Sequence, residues 1–327
     1  MQGLVHKIWY ENHWLQWLLW PLSWLFGMIS SMRRMSFSSG LNKQITLSVP
    51  VIIVGNITAG GSGKTPMVIH LIELLRAQGY TPGVVSRGYG AKVEGVVTVT
   101  EHHTPEQVGD EPAMIFARTK VPMVVGAKRV NAAHALLNIA DVDVIISDDG
   151  LQHYALGRDI EIAILDGERR LGNQKLIPAG PLREPVSRLS SVDFVVINGG
   201  HASISEFLMT LEPSAPIALK PDHKSLLKSD RIVAMAGIGN PQRFFNTLIQ
   251  SGYDCFQTHE FADHQAYHQD ALSQLAIDKP LIMTEKDAIK CKQFAQSDWW
   301  YLPVDARLTK KFDDQLLKKL SATITKT

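Results

Sequence analysis

The chain has 327 residues, 45% of them hydrophobic, and a formal net charge of +1 at pH 7, which argues against a general nucleic-acid binder, since those are strongly basic. Its length suits two domains, or one large α/β domain with an extension. Cys255 and Cys291 are far apart with no C-x-x-C pair, so a disulfide framework or cysteine zinc site is not indicated and a reducing compartment is the simpler reading.

The first element is the apolar run at residues 14–29, WLQWLLWPLSWLFGMI, interrupted by Gln16, Ser23 and Gly27, with Pro21 in its middle. Sixteen helical residues rise about 24 Å, short of a hydrocarbon core of roughly 30 Å. Glu11 and His13 precede the run and Arg33 and Arg34 follow it, the wrong flanks for a secretory signal. We therefore expect a helix lying in, or dipping into, one leaflet. Trp14, Trp17, Trp20 and Trp24 favour the headgroup boundary, and Arg33 and Arg34 meet anionic lipid. Half a dozen buried large apolar side chains contribute on the order of 10 kcal/mol before ordering costs. The competing reading is a helix buried in the protein's own core or in a dimer interface.

Residues 51–65, VIIVGNITAGGSGKT, combine an apolar strand, a glycine-rich loop and a helical start carried by Val68, Leu71, Ile72 and Leu75. Such a loop wraps phosphates with backbone N–H groups, and the helix points its positive end at the nucleotide. The candidate nucleotide-binding residues are Thr58, Ala59, Gly60, Gly61, Ser62, Gly63, Lys64 and Thr65. Lys64 reaches the β- and γ-phosphates and Thr65 offers its hydroxyl to Mg²⁺. Thr58 stands where the G-x-x-x-x-G-K-[ST] pattern has its first glycine.

Residues 82–86 read as the second strand, followed by Arg87 and Tyr89, which a strand end would place in a ligand crevice. After a short strand at 96–99, Asp110 and Glu111 precede a helical stretch. Two carboxylates there either cap the helix or, near a triphosphate, bind Mg²⁺ or take a proton. A strand at 121–125 and a helix at 129–139 lead to VDVIISDDGLQ (142–152). An apolar strand ending in acid is the Walker B pattern, so Asp148 or Asp149 is expected to hold the Mg²⁺ shell opposite Thr65. Strands at 160–165 and 192–197 continue a mainly parallel rhythm. Between them the proline-rich stretch 177–188 reads as a functional loop in which Arg183 or Arg188 is placed to bind phosphate.

A boundary falls around 213–224. Beyond it come a strand at 231–236, a helix at 242–249, the segment 261–264, a strand at 280–284 running into Glu285-Lys286-Asp287, an apolar stretch at 299–304, and an amphipathic helix at 310–320. The expected units are 1–35, a membrane-associated helix; 36–222, a P-loop nucleotide-binding domain; and 223–327, a smaller α/β domain. No H-E-x-x-H spacing occurs among the 12 histidines. Residues 284–287 sit where a GTPase carries its base-reading N-K-x-D but lack that pattern.

Taken together, GNITAGGSGKTP (55–66), SRGYG (86–90), VGDEP (108–112), DDGLQH (148–153), PAGPLREP (178–185), the 261–264 segment and TEKDAIK (284–290) closely resemble, in order and over almost the whole chain, the tetraacyldisaccharide 4'-kinase family of lipid A biosynthesis. Thr58 looks like the family form of the loop; Leu151 and Gln265 are small departures. The resemblance implies ATP-dependent phosphorylation of the 4'-hydroxyl of a tetraacylated glucosamine disaccharide 1-phosphate, giving lipid IVA at the cytoplasmic face of the bacterial inner membrane. It also implies a two-stranded linker between the larger and smaller domains. By the same resemblance Asp110 is the catalytic aspartate, His264 its partner, Lys64 a phosphate-holding catalytic residue, and Arg87, Tyr89 and His153 acceptor-binding positions. Glu111 joins Thr65 and the Asp148–Asp149 pair around Mg²⁺. No nucleic acid and no obligatory protein partner are indicated. The alternative is a membrane-recruited switch ATPase that phosphorylates nothing.

Overall fold

The computed structural model describes residues 2–91 and 93–325. Two helices come first, α1 (Gln2–Tyr10) and α2 (Leu15–Ser38). They are followed by β1 (Val51–Gly55), α3 (Lys64–Ala77), β2 (Pro82–Ser86), β3 (Val96–Thr98), α4 (Pro105–Val108) and α5 (Asp110–Thr119). Then come β4 (Met123–Gly126), α6 (Arg129–Ile139), β5 (Val144–Asp148), β6 (Ile160–Asp166), β7 (Phe194–Asn198) and β8 (Phe207–Pro213). A second run holds β9 (Ile217–Ala218), β10 (Arg231–Ala236), α7 (Pro241–Gln250), β11 (Asp254–Glu260), α8 (Gln269–Leu275), β12 (Leu281–Thr284), α9 (Glu285–Cys291) and β13 (Trp299–Leu302). The last elements are β14 (Val304–Leu308) and α10 (Lys310–Ile324).

Among the described residues these strands form a nine-stranded sheet, ordered β14-β8-β7-β6-β1-β5-β2-β4-β3, and a five-stranded sheet, ordered β11-β10-β12-β13-β9. The strands around β1 are parallel, and β3 and β14 close the two edges antiparallel. β1 is buried along its whole length, as a strand covered on both faces must be, which is why its sequence is an unbroken apolar run. Its alternate residues serve two cores: Ile52 and Val54 pack with α3, α5 and α10, while Val51 and Ile53 pack with α6 and the segment around Leu182. This is a doubly wound α/β sheet with the phosphate-type loop at its centre, as the sequence led us to expect.

The second sheet has its own apolar cores. Residues 304–324, which the sequence reading places in the smaller unit, instead pair and pack with the larger sheet: β14 is antiparallel to β8, and the Phe312 ring of α10 stands edge-on to Phe194 and Phe207. Pro303 separates the two memberships, because it cannot donate to a ladder. Thr284 ends β12 of the second sheet and residues 285–287 open α9, so this segment belongs to the smaller unit and not to the sheet that carries the phosphate loop.

α2 is longer than its apolar run, 24 residues, because nothing in the nine residues after Ile29 stops a helix, and Pro21 lies inside it. No helix among the described residues is long and apolar enough to cross a membrane. Its polarity is reversed relative to an ordinary surface helix. The buried positions are Gln16 and Ser23, whereas Trp14, Trp17, Trp20 and Trp24 are 66, 61, 55 and 70% exposed. Ser23 Oγ donates to Leu176 O at 2.7 Å and accepts from Ala179 N at 2.9 Å, while Gln16 Oε1 accepts from Asn173 and Lys175. The helix is therefore not buried in the protein's own core: its scarce polar groups face the protein and its apolar stripe faces away.

Candidate active site

The loop between β1 and α3 is held open by its neighbours. Asn56 Nδ2 donates to Gly60 O and Ser62 Oγ, and Asn198 at the end of β7 donates to Ser62 O at 3.1 Å. Gly63 has φ +91° and sits against the Asn198 side chain, so a β-carbon has no room there. Thr58 is buried and forms an isolated antiparallel bridge with Leu182, and Ala59 N–H donates to Pro181 O. An extended, paired residue needs no glycine freedom, which accounts for threonine in the first position of the pattern. Lys64 and Thr65 open α3 and are buried. Lys64 Nζ lies 3.5 Å from Asp149 Oδ1.

Asp148 ends β5 with no exposure at all; Ser86 Oγ donates to its Oδ2 at 3.0 Å, and its Oδ1 has no hydrogen-bond partner among the described residues. Burial pushes this carboxyl up to about 7, with the charges of Glu111 and Asp149 adding to the effect. Burial also works to raise Asp149, but Lys64, Arg183 and Arg129 outweigh it and hold that carboxyl below its ordinary value. The pair is thus split, one acid fully paired with cations and the other carrying an orphaned oxygen beside two more carboxylates. That orphaned atom fits a site completed by a cation. Among the described residues no cluster of three or more His, Cys, Asp or Glu forms a cage able to hold a metal unaided, as is usual for Mg²⁺ bound through one or two carboxylates plus phosphate and water.

Asp110 is the first residue of α5, delivered by Gly109 at φ +98°, whose α-carbon is packed against Gly88 and Tyr89 O of the SRGYG turn. His264 reaches it from the second sheet, Nδ1 to Asp110 Oδ2 at 3.0 Å, and the Tyr89 ring stands edge-on to the imidazole with centroids 5.2 Å apart. Burial would raise the Asp110 carboxyl, but the His264 hydrogen bond, Lys290 and Lys286 together hold it low. Lys290 Nζ is 3.9 Å from Asp110 Oδ2, and Lys286 Nζ is 2.8 Å from Asp263 and 3.5 Å from His264 Nε2. Both lysines lie in TEKDAIK; a charged residue in a short helix carries no local signal of this placement.

A cavity of about 1200 Å³ joins these groups. Lys64, Thr65, Arg87, Tyr89, Glu111, Asp149, His153 and His264 line it, together with Phe26, Ile29 and Arg33 of α2. Asp110 meets it through its hydrogen bond to His264. His153 Nε2 accepts from Arg129 N–H at 3.2 Å, and burial followed by the nearby Arg129, Arg158, Arg33 and Arg87 pushes this imidazole down to about 4. Arg129 itself is buried and lowered to about 10 by that burial. Neither Arg129 nor Arg33 was singled out by spacing as a lining group.

The two arginines of the 177–188 loop part company. Arg183 reaches the cavity and pairs with Asp149 at 3.3 Å. Arg188, offered above as an alternative phosphate ligand, is buried, pairs with Glu184 at 3.2 Å and bonds Glu161. Glu184 in turn accepts from Tyr154 Oη at 2.6 Å and Gln152 at 2.7 Å. Arg188 is a buried structural cation, because its charge is already matched by Glu161 and Glu184.

A phosphate-type loop, an acid pair at the end of the adjacent strand and a half-buried Asp–His pair on the same cavity define a P-loop phosphotransferase. The family described as Tetraacyldisaccharide-1-P 4'-kinase matches residues 15–321, and the chain belongs to it. A Tetraacyldisaccharide 4'-kinase of Shewanella frigidimarina (strain NCIMB 400) is 63% identical over 322 residues, 98% of this chain and 96% of that one. A protein of the same name from Shewanella halifaxensis (strain HAW-EB4) is 58% identical over 327 residues, 99% of each. The crystal structure of LpxK from Aquifex aeolicus in complex with ATP superposes with a TM-score of 0.79 at 28% identity, covering 95% of this chain and 99% of that one.

Proposed function

We propose that the chain transfers the γ-phosphoryl group of ATP to the 4'-hydroxyl of a tetraacylated glucosamine disaccharide 1-phosphate, giving lipid IVA. The observation that carries the reading is the Asp110–His264 contact at 3.0 Å, made between the two sheets beside the phosphate loop. Phosphoryl transfer asks a protein for alignment and charge neutralisation more than for covalent chemistry.

In this reading the amides from Thr58 to Gly63 and the Lys64 ammonium cradle the triphosphate. Asp110, kept ionised by its cationic neighbours, accepts the proton of the sugar hydroxyl, and His264 orients the carboxylate. Thr65, Glu111 and the Asp148–Asp149 pair hold Mg²⁺, with the unpaired Asp148 Oδ1 as its foremost candidate ligand. When bound, that ion neutralises charge on the phosphates. Arg87, Tyr89 and His153 bind the acceptor; His153 does so as a neutral imidazole. The exposed tryptophans of α2 rest on the cytoplasmic face of the inner membrane, peripherally or monotopically, so the acyl chains stay near the lipid while the sugar enters the cleft between α2 and the phosphate loop. The smaller unit, which begins at β9 (Ile217–Ala218) and not at residue 223, runs up to the Pro303 crossing and closes on the nucleotide.

The test is transfer of label from γ-labelled ATP to an organic-extractable lipid by detergent-solubilised protein. A labelled bis-phosphorylated product that disappears in Asp110→Ala, with ATP binding retained, supports the assignment. Release of free phosphate alone from the wild type refutes it in favour of a switch ATPase.

A further inference from the structure

The joint between the two sheets holds a polar cluster that the phosphate-handling residues do not use. The chain crosses between the sheets after β8 and again after β13. The crossings touch: Ser214 N–H donates to Pro303 O at 3.0 Å and Ser214 Oγ to Asp305 Oδ2 at 3.3 Å. Arg118, in the last turn of α5, reaches the same place. Its Nη1 donates to Val304 O at 2.9 Å and to Glu285 Oε2 at 3.0 Å, and its Nη2 bonds Asp305 Oδ1. One guanidinium therefore ties together α5, the crossing and α9, whose first residue is Glu285.

α5 and α9 meet head to tail. Arg118 at the end of α5 holds Glu285 at the start of α9, and Asp110 at the start of α5 stands 3.9 Å from Lys290 near the end of α9. The residue after Glu285 is Lys286, which holds Asp263 and His264, while Lys290 Nζ donates to Gln265 O at 3.1 Å. His264 has φ +62°, a conformation that persists in a non-glycine residue only under outside support. α9 supplies that support through its two lysines, and Arg118 fixes α9.

We propose that Arg118 is a positioning residue for phosphoryl transfer: by pinning α9 to α5 at the crossing, it holds the His264 loop within reach of Asp110. The proposal rests on the kinase reading given above. Arg118 bonds neither the phosphate loop nor Asp110, so its effect passes through α9. Three acceptors on two segments, β14 and α9, suit a planar fork and not a single ammonium, so Arg118→Lys keeps the charge and loses the geometry.

The experiment is a double-mutant cycle on the full chain with wild type, Arg118→Lys, His264→Ala and the pair, measuring label transfer to the lipid acceptor. Alone, Arg118→Lys is expected to lower kcat about tenfold while KM for ATP changes less than about twofold. In the His264→Ala background it is expected to cost less than about twofold more, because the contact it serves is already gone. Equal losses in both backgrounds, or no loss in the wild-type background, overturn the proposal, since damage to the fold alone multiplies independently. Should Arg118→Lys fail to fold, Glu285→Gln passes through the same cycle, with non-additivity expected and additivity overturning it. A wild-type protein that transfers no phosphate takes down the kinase reading itself; an additive cycle in an active enzyme takes down only the role of Arg118.

Discussion

Replacing His264 by alanine removes one contact and leaves the proposed base, Asp110, in place. Asp110 loses its histidine partner, at 3.0 Å, but keeps Lys290 at 3.9 Å and the field of Lys286. A hydrogen bond to a charged group is worth about 1.5–3 kcal/mol, which converts to roughly 10- to 150-fold if all of it is expressed in the transition state. Because the lysines still hold the carboxylate ionised, we expect the lower part of that range, about 10- to 50-fold in kcat. Asp110→Ala removes the proton acceptor itself, for which a loss of about 10²–10⁴-fold is expected. Both variants keep the phosphate loop, so binding of a fluorescent ATP analogue should remain within about threefold of wild type. Initial rates of label transfer at saturating ATP separate the two. If His264→Ala costs as much as Asp110→Ala, the imidazole is not a mere orienting partner; if it costs nothing, the Asp–His contact has no part in catalysis.

Three further outcomes follow from the same geometry. With Asp148 raised to about 7, divalent-cation binding must displace a proton below that pH, so the apparent Mg²⁺ affinity measured by calorimetry should weaken about fivefold from pH 7 to 6, and Asp148→Asn should flatten the dependence. His153 stays neutral in the folded chain down to about pH 4, while the unfolded ring takes up its proton near 6.5; the folded state therefore loses stability as pH falls between those values, by up to about 3 kcal/mol. Asp148 shifts in the opposite sense and offsets this, so the quantity to measure by urea denaturation is the difference between wild type and His153→Gln, which should shrink toward pH 7. Ser23→Val leaves Ala179 N–H without its partner, while Leu176 O keeps Gly180 N–H at 3.0 Å, a local cost of about 1–3 kcal/mol; amide exchange in residues 173–180 should quicken about tenfold, and unchanged protection would show that the seam under α2 is not held by this hydroxyl.

The central strands were legible because a strand covered on both faces must be an unbroken apolar run, as β1 and β5 are. β11 escaped that test: its sequence is polar and its residues largely exposed, as an edge strand allows. β14 was invisible as a separate strand because its apolar start runs on from β13, and membership of one sheet or the other is decided by partners far away in sequence. Within the site, the phosphate loop and the Asp148–Asp149 pair follow from local spacing. The pairing of Asp110 with a histidine 154 residues later has no local signature and came only with the resemblance to a family. The opposite fates of Arg183 and Arg188 depend on which carboxylates the fold brings to them, which spacing alone does not encode.

The return of β14 and α10 to the first sheet makes the second sheet an insertion within the larger unit, entered and left at adjacent points. As the chain emerges from the ribosome, every phosphate-handling residue is therefore made before the edge strand and helix that complete their sheet. Until residues 304–324 follow, Phe194 and Phe207 lack the ring of Phe312, and β8 presents an open ladder where β14 will pair. Without them the larger sheet has an open edge, and residues 304–324 act as the closing stitch that covers it.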